Sequence, residues 1–313
     1  MYLDFFNLSR KPFSIHAATD NIYLGDNHGV AAASLEYGIL ENPGFIVMSG
    51  EIGTGKTTLV RHVLNQVGSQ TVVAEINCLP SSRSSLISQL CAAFGVSSKD
   101  VGLPEFVNHL SQYIDEQGKR GKSLILFLDD AQNLSADDLE AIRLIVNFND
   151  EIDKLITVLF VGQTQLRRTI RQADLAQFRQ RISVHYHLDA LSREETAEYI
   201  RFRLHSCGGD TNVIGDEAIS LIHQYADGLP RVVNAIADLC LVYAFSRQQP
   251  MVDTETVAAV VRDRNRGGIA LQMSHLAQNP LRSVVRVAPF RNRFSNQSLA
   301  VPALARSLYW ASN

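Results

Sequence analysis

The sequence predicts an α/β fold: a parallel sheet with helices on both faces, followed by a small all-helical domain. Three observations predict it. Apolar runs of strand length recur at 45–49 (FIVMS), 71–76 (TVVAEI), 124–128 (LILFL), 156–161 (ITVLFV) and, more weakly, 182–188 (ISVHYHL), with helix-like segments between them. Continuous apolar strands alternating with helices are the pattern of a sheet buried on both faces. A glycine-rich stretch joins the first of these strands to the next helix, and from Ser192 onward the strand signal stops altogether.

Taken in chain order, Tyr2, Phe5, Phe6, Pro12 and Phe13 form an aromatic N-terminal cluster expected to pack on the core. Helical periodicity is expected over 29–41, 56–67, 83–94, 104–117, 135–148 and 164–178, each lying beside one of the strands. The helical part opens with SREETAEYIRFRLHSCGG, where Ser192 and Glu195 have the spacing of a capping box and Gly208-Gly209 marks the stop. DEAISLIHQYADG, PRVVNAIADLCLVYAFSRQ and DTETVAAVVRDR follow, each with a capping or proline start, which makes about four helices. Beyond Arg266 the chain turns rich in Ser, Asn and Arg and is broken by Pro280, Pro289 and Pro302, a composition expected to stay unordered.

Charge is unevenly placed. Net charge is −3, yet seven arginines and no acidic residue follow Asp263, so the chain up to that point carries −10 against +7. Cys78, Cys91, Cys207 and Cys240 are scattered without a CxxC pair, which fits reduced thiols in the cytoplasm rather than a disulfide or zinc framework. No window reaches the roughly eighteen apolar residues of a membrane span, and MYLDFFNLSRKPFS lacks the plan of a signal peptide. His185 and His187 alternate on a strand and so share a face, where partial packing is favoured over a metal.

The stretch GEIGTGKTT, Gly50 to Thr58, fits G-x-x-x-x-G-K-[ST] and lies where a phosphate loop must, between a strand and a helix. Backbone N–H groups from Glu51, Ile52, Gly53, Thr54, Gly55, Lys56 and Thr57 can curl around a triphosphate, because Gly50, Gly53 and Gly55 allow backbone conformations that a Cβ would block. Lys56 would contact the β- and γ-phosphates of ATP, and Thr57 would ligate Mg²⁺. The strand LILFL ends in Asp129-Asp130. Placed beside the phosphate-loop strand, Asp129 is expected to hold Mg²⁺ through water and Asp130 to polarise the attacking water.

Seven ordered stretches carry a family resemblance: YLDFFNLSRKPF, IYLG, GFIVMSGEIGTGKTTLVRHVL, LFLDDAQNL, VLFVGQTQL, FRQRISVHYHLDALSREETAEYIRFRL and YADGLPRVVNAIADLCLVYA. Over residues 1 to about 264 the chain resembles the AAA+ ATPases of the general secretion pathway A (GspA/ExeA-like) type, whose relatives include ATPases of pilus biogenesis and of exopolysaccharide or PEP-CTERM export loci. The resemblance implies an N-terminal segment at 1–30 packing on the ATPase core, a nucleotide-binding core at 31–190, a helical lid at 191–265 and a basic tail at 266–313. It implies that Gln163 is the sensor-1 polar residue and that Arg231 is sensor 2. Arg181 would be the finger reaching a neighbouring subunit's nucleotide, with Arg179 the runner-up. Each supplies donors or positive charge around a transferring phosphoryl group.

Two departures stand out. The family's Asp-Glu pair is Asp-Asp here, and the shorter Asp130 implies slow hydrolysis or a nucleotide-held switch. Many members continue into a membrane span and a peptidoglycan-binding domain, and neither is read in these residues, so direct cell-wall contact is not expected. The function implied is a cytoplasmic, oligomeric ATPase, peripheral at the inner membrane, that energises or licenses assembly of a secretion or export apparatus with inner-membrane partners. A nucleic-acid-bound regulator of the transposition-helper type is the alternative. It would need Lys and Arg along the core, where Arg167, Arg168, Arg171, Arg179 and Arg181 make a local patch on an otherwise acidic body. The tail, with Phe290, Phe294, Tyr309 and Trp310 among its arginines, would be the other place for an anionic partner.

Overall fold

Each of the five apolar runs becomes a strand, and all five pair in parallel in a single sheet in which Thr71–Asn77, Ser123–Asp129, Ile156–Gly162, Phe45–Gly50 and Ile182–Leu188 lie side by side in that order. The computed structural model describes residues 2–14, 22–40, 44–68, 70–78, 83–94, 103–147 and 156–266. The strands are β1 (Phe45–Gly50), β2 (Thr71–Asn77), β3 (Ser123–Asp129), β4 (Ile156–Gly162) and β5 (Ile182–Leu188). Around them lie α1 (Tyr2–Phe5), α2 (Asp26–Leu40), α3 (Lys56–Gln66), α4 (Arg83–Ala93), α5 (Leu103–Lys119), α6 (Ala136–Asn147), α7 (Thr164–Ile170) and α8 (Ala176–Gln180). Then come α9 (Arg193–His205), α10 (Asp216–Ala226), α11 (Pro230–Ser246) and α12 (Thr254–Arg266).

Alternate side chains of the central strands feed two cores, as a period of two requires. Phe45, Val47, Leu126, Val158 and Phe160 point to the face covered by α4, α5, α6, α7 and α8. Ile46, Met48, Phe127, Leu159 and Val161 point to the other, under α2 and α3. On the first face, Phe178 packs 4.9 Å from Phe45 and 5.3 Å from Phe160, ring centroid to ring centroid. Such pairs stabilise by about 0.5–1.5 kcal/mol beyond the area they bury.

Three expectations are corrected. The strand of the Asp pair was expected beside the phosphate-loop strand, but β4 lies between β3 and β1. The expected helix 164–178 breaks after Ile170 into a one-turn 3₁₀ helix, Ala173–Leu175, and then α8. The buried residues Leu166, Ile170, Leu175 and Phe178 do not keep a helical period across the break, and the kink lets Leu175 and Phe178 both reach the core. The guanidinium of Arg179 holds that break, donating from Nη1 to the carbonyls of Ile170 at 2.9 Å and Gln172 at 2.5 Å.

The third concerns residues 1–30, which were expected on the nucleotide-binding core. From Asp26 onward they are, as α2. Residues 2–13 instead complete the helical part: Tyr2, Phe6, Leu8 and Phe13 are buried among the apolar faces of α9 to α12. Tyr2 Oη donates to Asp238, the N–H of Ser9 donates to the Cys207 carbonyl at 2.8 Å, and Arg203 Nε donates to the Pro12 carbonyl at 2.6 Å. The helices alone leave an apolar face open, and these aromatics cover it. The basic tail from 267 onward lies outside the described residues.

The cap signal that marks the start of the helical part is realised in full. Ser192 Oγ accepts from the Glu195 N–H at 3.1 Å, and Glu195 Oε2 accepts from the Ser192 N–H at 2.9 Å. Ser192→Ala should therefore lower unfolding free energy by about 1 kcal/mol in urea titration, while Ser192→Asp should recover most of the loss. Equal stability of the alanine variant and the wild type would contradict the cap's contribution.

Candidate nucleotide-binding site

In an all-parallel sheet the carboxyl ends of the strands share one edge, so β1 delivers Gly50, β3 delivers Asp129 and β4 delivers Gly162 to the same side. The loop from Gly50 to Gly55 turns back over that edge. Gly53 and Gly55 have φ of +88° and +97°, the left-handed region that side-chain-bearing residues rarely adopt. A Cβ on Gly50 would come 2.5 Å from the Leu188 carbonyl oxygen, so this position also has no room for a side chain. Thr54, fully buried, pins the turn by donating from Oγ1 to the Glu51 carbonyl at 3.0 Å.

Lys56 opens α3 and folds back on the loop, Nζ donating to the carbonyls of Glu51 at 2.7 Å and Gly50 at 3.0 Å. Burial lowers its pKa, against the opposing pull of Asp129, Glu51 and Asp130. An anion in the loop would give this ammonium a better acceptor than backbone carbonyls. One residue on, Thr57 Oγ1 lies 3.0 and 3.2 Å from the two oxygens of Asp129. Burial raises the Asp129 pKa, and the charge of Asp130 adds to it, whereas the bonds from Thr57 and from the Asp130 N–H work the other way.

The intervening β4 does not separate the two half-sites. Helix α3 leaves β1 and carries Thr57 across to the end of β3, so a hydroxyl and a carboxylate meet although their strands are not neighbours. Oxygen donors of this kind suit a hard divalent cation such as Mg²⁺.

Asp130 follows in a left-handed conformation, φ +53°, with its N–H donating to Asp129 Oδ1 at 3.0 Å. Its own carboxylate is exposed and accepts from Gln132 Nε2 at 3.1 Å. Gln163 caps the end of β4, and its N–H donates to Gln132 Oε1 at 2.9 Å. Glu51, at the crown of the loop, accepts from Thr164 Oγ1 at 2.7 Å, linking the loop to the start of α7.

From the opposite side comes Arg231, in the first turn of α11. Its N–H donates to the Gly53 carbonyl at 3.2 Å, and a Cβ on Gly53 would meet Arg231 Cβ at 2.8 Å, so the helix end rests directly on the loop. The structure thus gathers residues Gly50 to Thr58, Asp129, Asp130, Gln163 and Arg231 at one edge. Arg181 is not among them. Its carbonyl accepts from the Phe45 N–H at 3.1 Å at the amino end of β1, roughly 16 Å of strand away from the loop. Arg179 is occupied in holding the α7–α8 break. His187 Nδ1 lies 3.0 Å from Ser49 Oγ, and His185 carries a pKa lowered by burial and then by Arg167.

A cavity of about 420 Å³ extends from residues Gly53 to Leu59 to the helical part, lined there by Leu191, Tyr199, Arg203, Pro230, Arg231 and Asn234, and on a third side by Ile22, Tyr23 and His28. Several of these escaped the sequence reading. His28, buried at 7% exposure, has Nε2 3.1 Å from the Thr54 carbonyl and so supports the loop from behind. Tyr199 Oη donates to Asn234 Oδ1 at 2.8 Å, tying α9 to α11 beside the cavity. A lone histidine in a helix start and a tyrosine in an amphipathic helix have no pattern that marks them. Cys78, next to Asp129, has its thiol pushed up to about 12 by burial and then by the carboxylates of Asp129, Asp130 and Asp138, so it stays protonated.

Comparison with known proteins agrees with this geometry. Residues 39–170 match a family model described as an AAA domain. General secretion pathway protein A of Aeromonas hydrophila is 36% identical over 248 residues, covering 79% of this chain and 45% of that protein. The chain thus spans less than half the length of that relative. Among solved structures, the ORC2 protein of Aeropyrum pernix aligns with a TM-score of 0.64 at 17% identity, over 82% of this chain and 72% of that one. Cdc6p of Pyrobaculum aerophilum gives 0.64 at 18%, over 80% and 70%. At such identities the likeness is one of fold. Among the described residues no helix is long and apolar enough to cross a membrane. With a parallel sheet, a phosphate loop facing an Asp-tipped strand, a helical bundle resting on the loop and this degree of identity, the chain belongs to the AAA+ proteins of the general secretion pathway A (GspA/ExeA-like) family.

Proposed function

We propose that the protein binds and hydrolyses ATP with Mg²⁺, assembles into an oligomer in which one subunit completes its neighbour's site, and energises or licenses assembly of an envelope secretion or export apparatus from the cytoplasmic side of the inner membrane. The observation that carries the catalytic part is the meeting of Thr57 Oγ1 with the Asp129 carboxylate at 3.0 Å beside the buried Lys56. Thr57 and Asp129 would hold Mg²⁺, Asp129 through water, and the ion would neutralise charge on the phosphates. Backbone N–H groups from Glu51 to Thr58 would cradle the phosphates, Lys56 and Arg231 would carry positive charge to them, and Gln163 and Asp130 would position the attacking water. The family relation, through a relative named for the general secretion pathway, supports the cellular role.

Arg181 is assigned to the neighbour's nucleotide, because its position at the amino end of the sheet leaves it too far from its own loop. The test is ATPase activity against protein concentration, in wild type and in variants at Lys56, Asp130 and Arg181. Turnover per subunit that rises with concentration supports shared sites, and a flat profile contradicts them.

Asp130 sets the rate. Its carboxylate is one methylene shorter than the family's glutamate, so Asp130→Glu should reach the water better and raise kcat by about tenfold while nucleotide affinity stays unchanged. A lower kcat in that variant would instead mean that the site is built around the shorter acid.

A further inference from the structure

We infer that Gln132 is a positioning residue: its side-chain amide bridges the ends of β3 and β4 and holds the Asp130 carboxylate and the Gln163 backbone in fixed relation for water attack, a role that rests on the reading of Asp130 given above. The need for a bridge follows from the ladder. Paired residues of β3 and β4 end at Leu128 and Phe160, one residue short of the Asp pair and two short of Gly162. Beyond that point no strand pairing fixes Asp130 against Gln163.

Gln132 spans this gap with both ends of one rigid amide. Nε2 donates to Asp130 Oδ1 at 3.1 Å, and Oε1 accepts the Gln163 N–H at 2.9 Å. The orientation is self-consistent, since the flipped amide would set an acceptor against a carboxylate and a donor against an N–H. The amide is itself well seated. It belongs to a one-turn 3₁₀ helix, Ala131–Asn133, in which Ala131 is fully buried and Asn133 Nδ2 donates to the Cys78 carbonyl at 2.7 Å.

Gly162 makes room for it. A Cβ there would come 3.0 Å from both the Gln132 backbone nitrogen and Oε1, and 3.1 Å from Leu166 Cδ2. Asp130 itself sits in a left-handed backbone conformation, which Asp adopts as a single residue more readily than most residues with a side chain. Its N–H is held by Asp129 and its carboxylate by Gln132, so together they define where the acid points.

A role in stability alone would move folding and binding together with turnover, and that separates the two cases. The full chain is assayed for kcat and, by fluorescent ATP analogue, for Kd in Gln132→Glu, Gly162→Ala, Asp130→Asn and the double variant Gln132→Glu/Asp130→Asn. Glutamate at 132 keeps an acceptor for the Gln163 N–H but turns the donor facing Asp130 into a like charge. The expected result is an unchanged Kd with kcat reduced about tenfold or more, and no further loss in the double variant beyond Asp130→Asn alone. Gly162→Ala, which keeps Gln132 but displaces its amide, is expected to lose several-fold in kcat at unchanged Kd, and it carries the test if Gln132→Glu does not fold. Wild-type kcat in Gln132→Glu or in Gly162→Ala, or additive losses in the double variant, overturns the inference. Wild-type turnover in Asp130→Asn overturns the reading of Asp130 beneath it.

Discussion

Lys56→Ala is expected to abolish measurable nucleotide binding. The ammonium is the single cation of the loop itself, and with 9% exposure it is held inside the turn rather than swinging in solvent. Its present partners are the carbonyls of Gly50 and Glu51, which it would exchange for phosphate oxygens at almost no reorganisation of the loop. Two charge-assisted bonds to phosphate contribute about 3–6 kcal/mol, or roughly 10²–10⁴-fold in Kd. Removing a buried cation also removes its desolvation cost, so the variant should fold and melt within a few degrees of wild type. Isothermal titration with an ATP analogue, checked by melting curves, reads both. A Kd within tenfold of wild type would show that the N–H cradle binds phosphate without the lysine.

Arg181→Ala should leave binding intact and remove the rise of turnover with protein concentration. The residue lies between α8 and β5 at the amino end of the sheet, whereas the loop lies at the carboxyl end, so no change of rotamer brings its guanidinium to its own loop. A guanidinium supplied from a neighbour stabilises transition-state charge and accounts for about 10³–10⁵ in kcat where it has been measured in other phosphoryl-transfer proteins. A loss of about 10²-fold or more in kcat at high concentration, with unchanged Kd, is therefore expected. Arg179→Ala serves as the contrast. It would loosen the carbonyls of Ile170 and Gln172 and lower stability, without a specific loss at high concentration. Unchanged turnover in Arg181→Ala would sink the assignment to a neighbouring site.

The reach of the sequence differs from place to place for physical reasons. Strands β1, β3 and β4 are buried on both faces, and burial on both faces forces a continuous apolar run, whose shortness and flanking turn residues mark it as a strand. The phosphate loop is legible because its demands are chemical and local: glycines for positive φ, a lysine and a threonine at fixed spacing after them. The break after Ile170 was not legible, since Arg167 to Phe178 is good helix-forming sequence and only the positions of Leu175 and Phe178 against the sheet decide it. Likewise the aromatic N-terminus announces that it must be buried, but not against what. The structure puts it on the helical bundle because that is where an uncovered apolar face remains.

By itself, then, the sequence determined the α/β class, the succession of strands, the capped start of the helical part and the identity of the residues able to meet a triphosphate, because each depends on periodicity or on spacing within a dozen residues. Only the tertiary structure decided that β4 lies between the two half-sites, that α3 nevertheless carries Thr57 to Asp129, that Arg231 rests on Gly53, and that Gln132 links Asp130 to Gln163. Those relations join residues tens to nearly two hundred positions apart or turn on the direction of one amide. They arise when the strands pair and the helices find their faces, a step that no local pattern encodes.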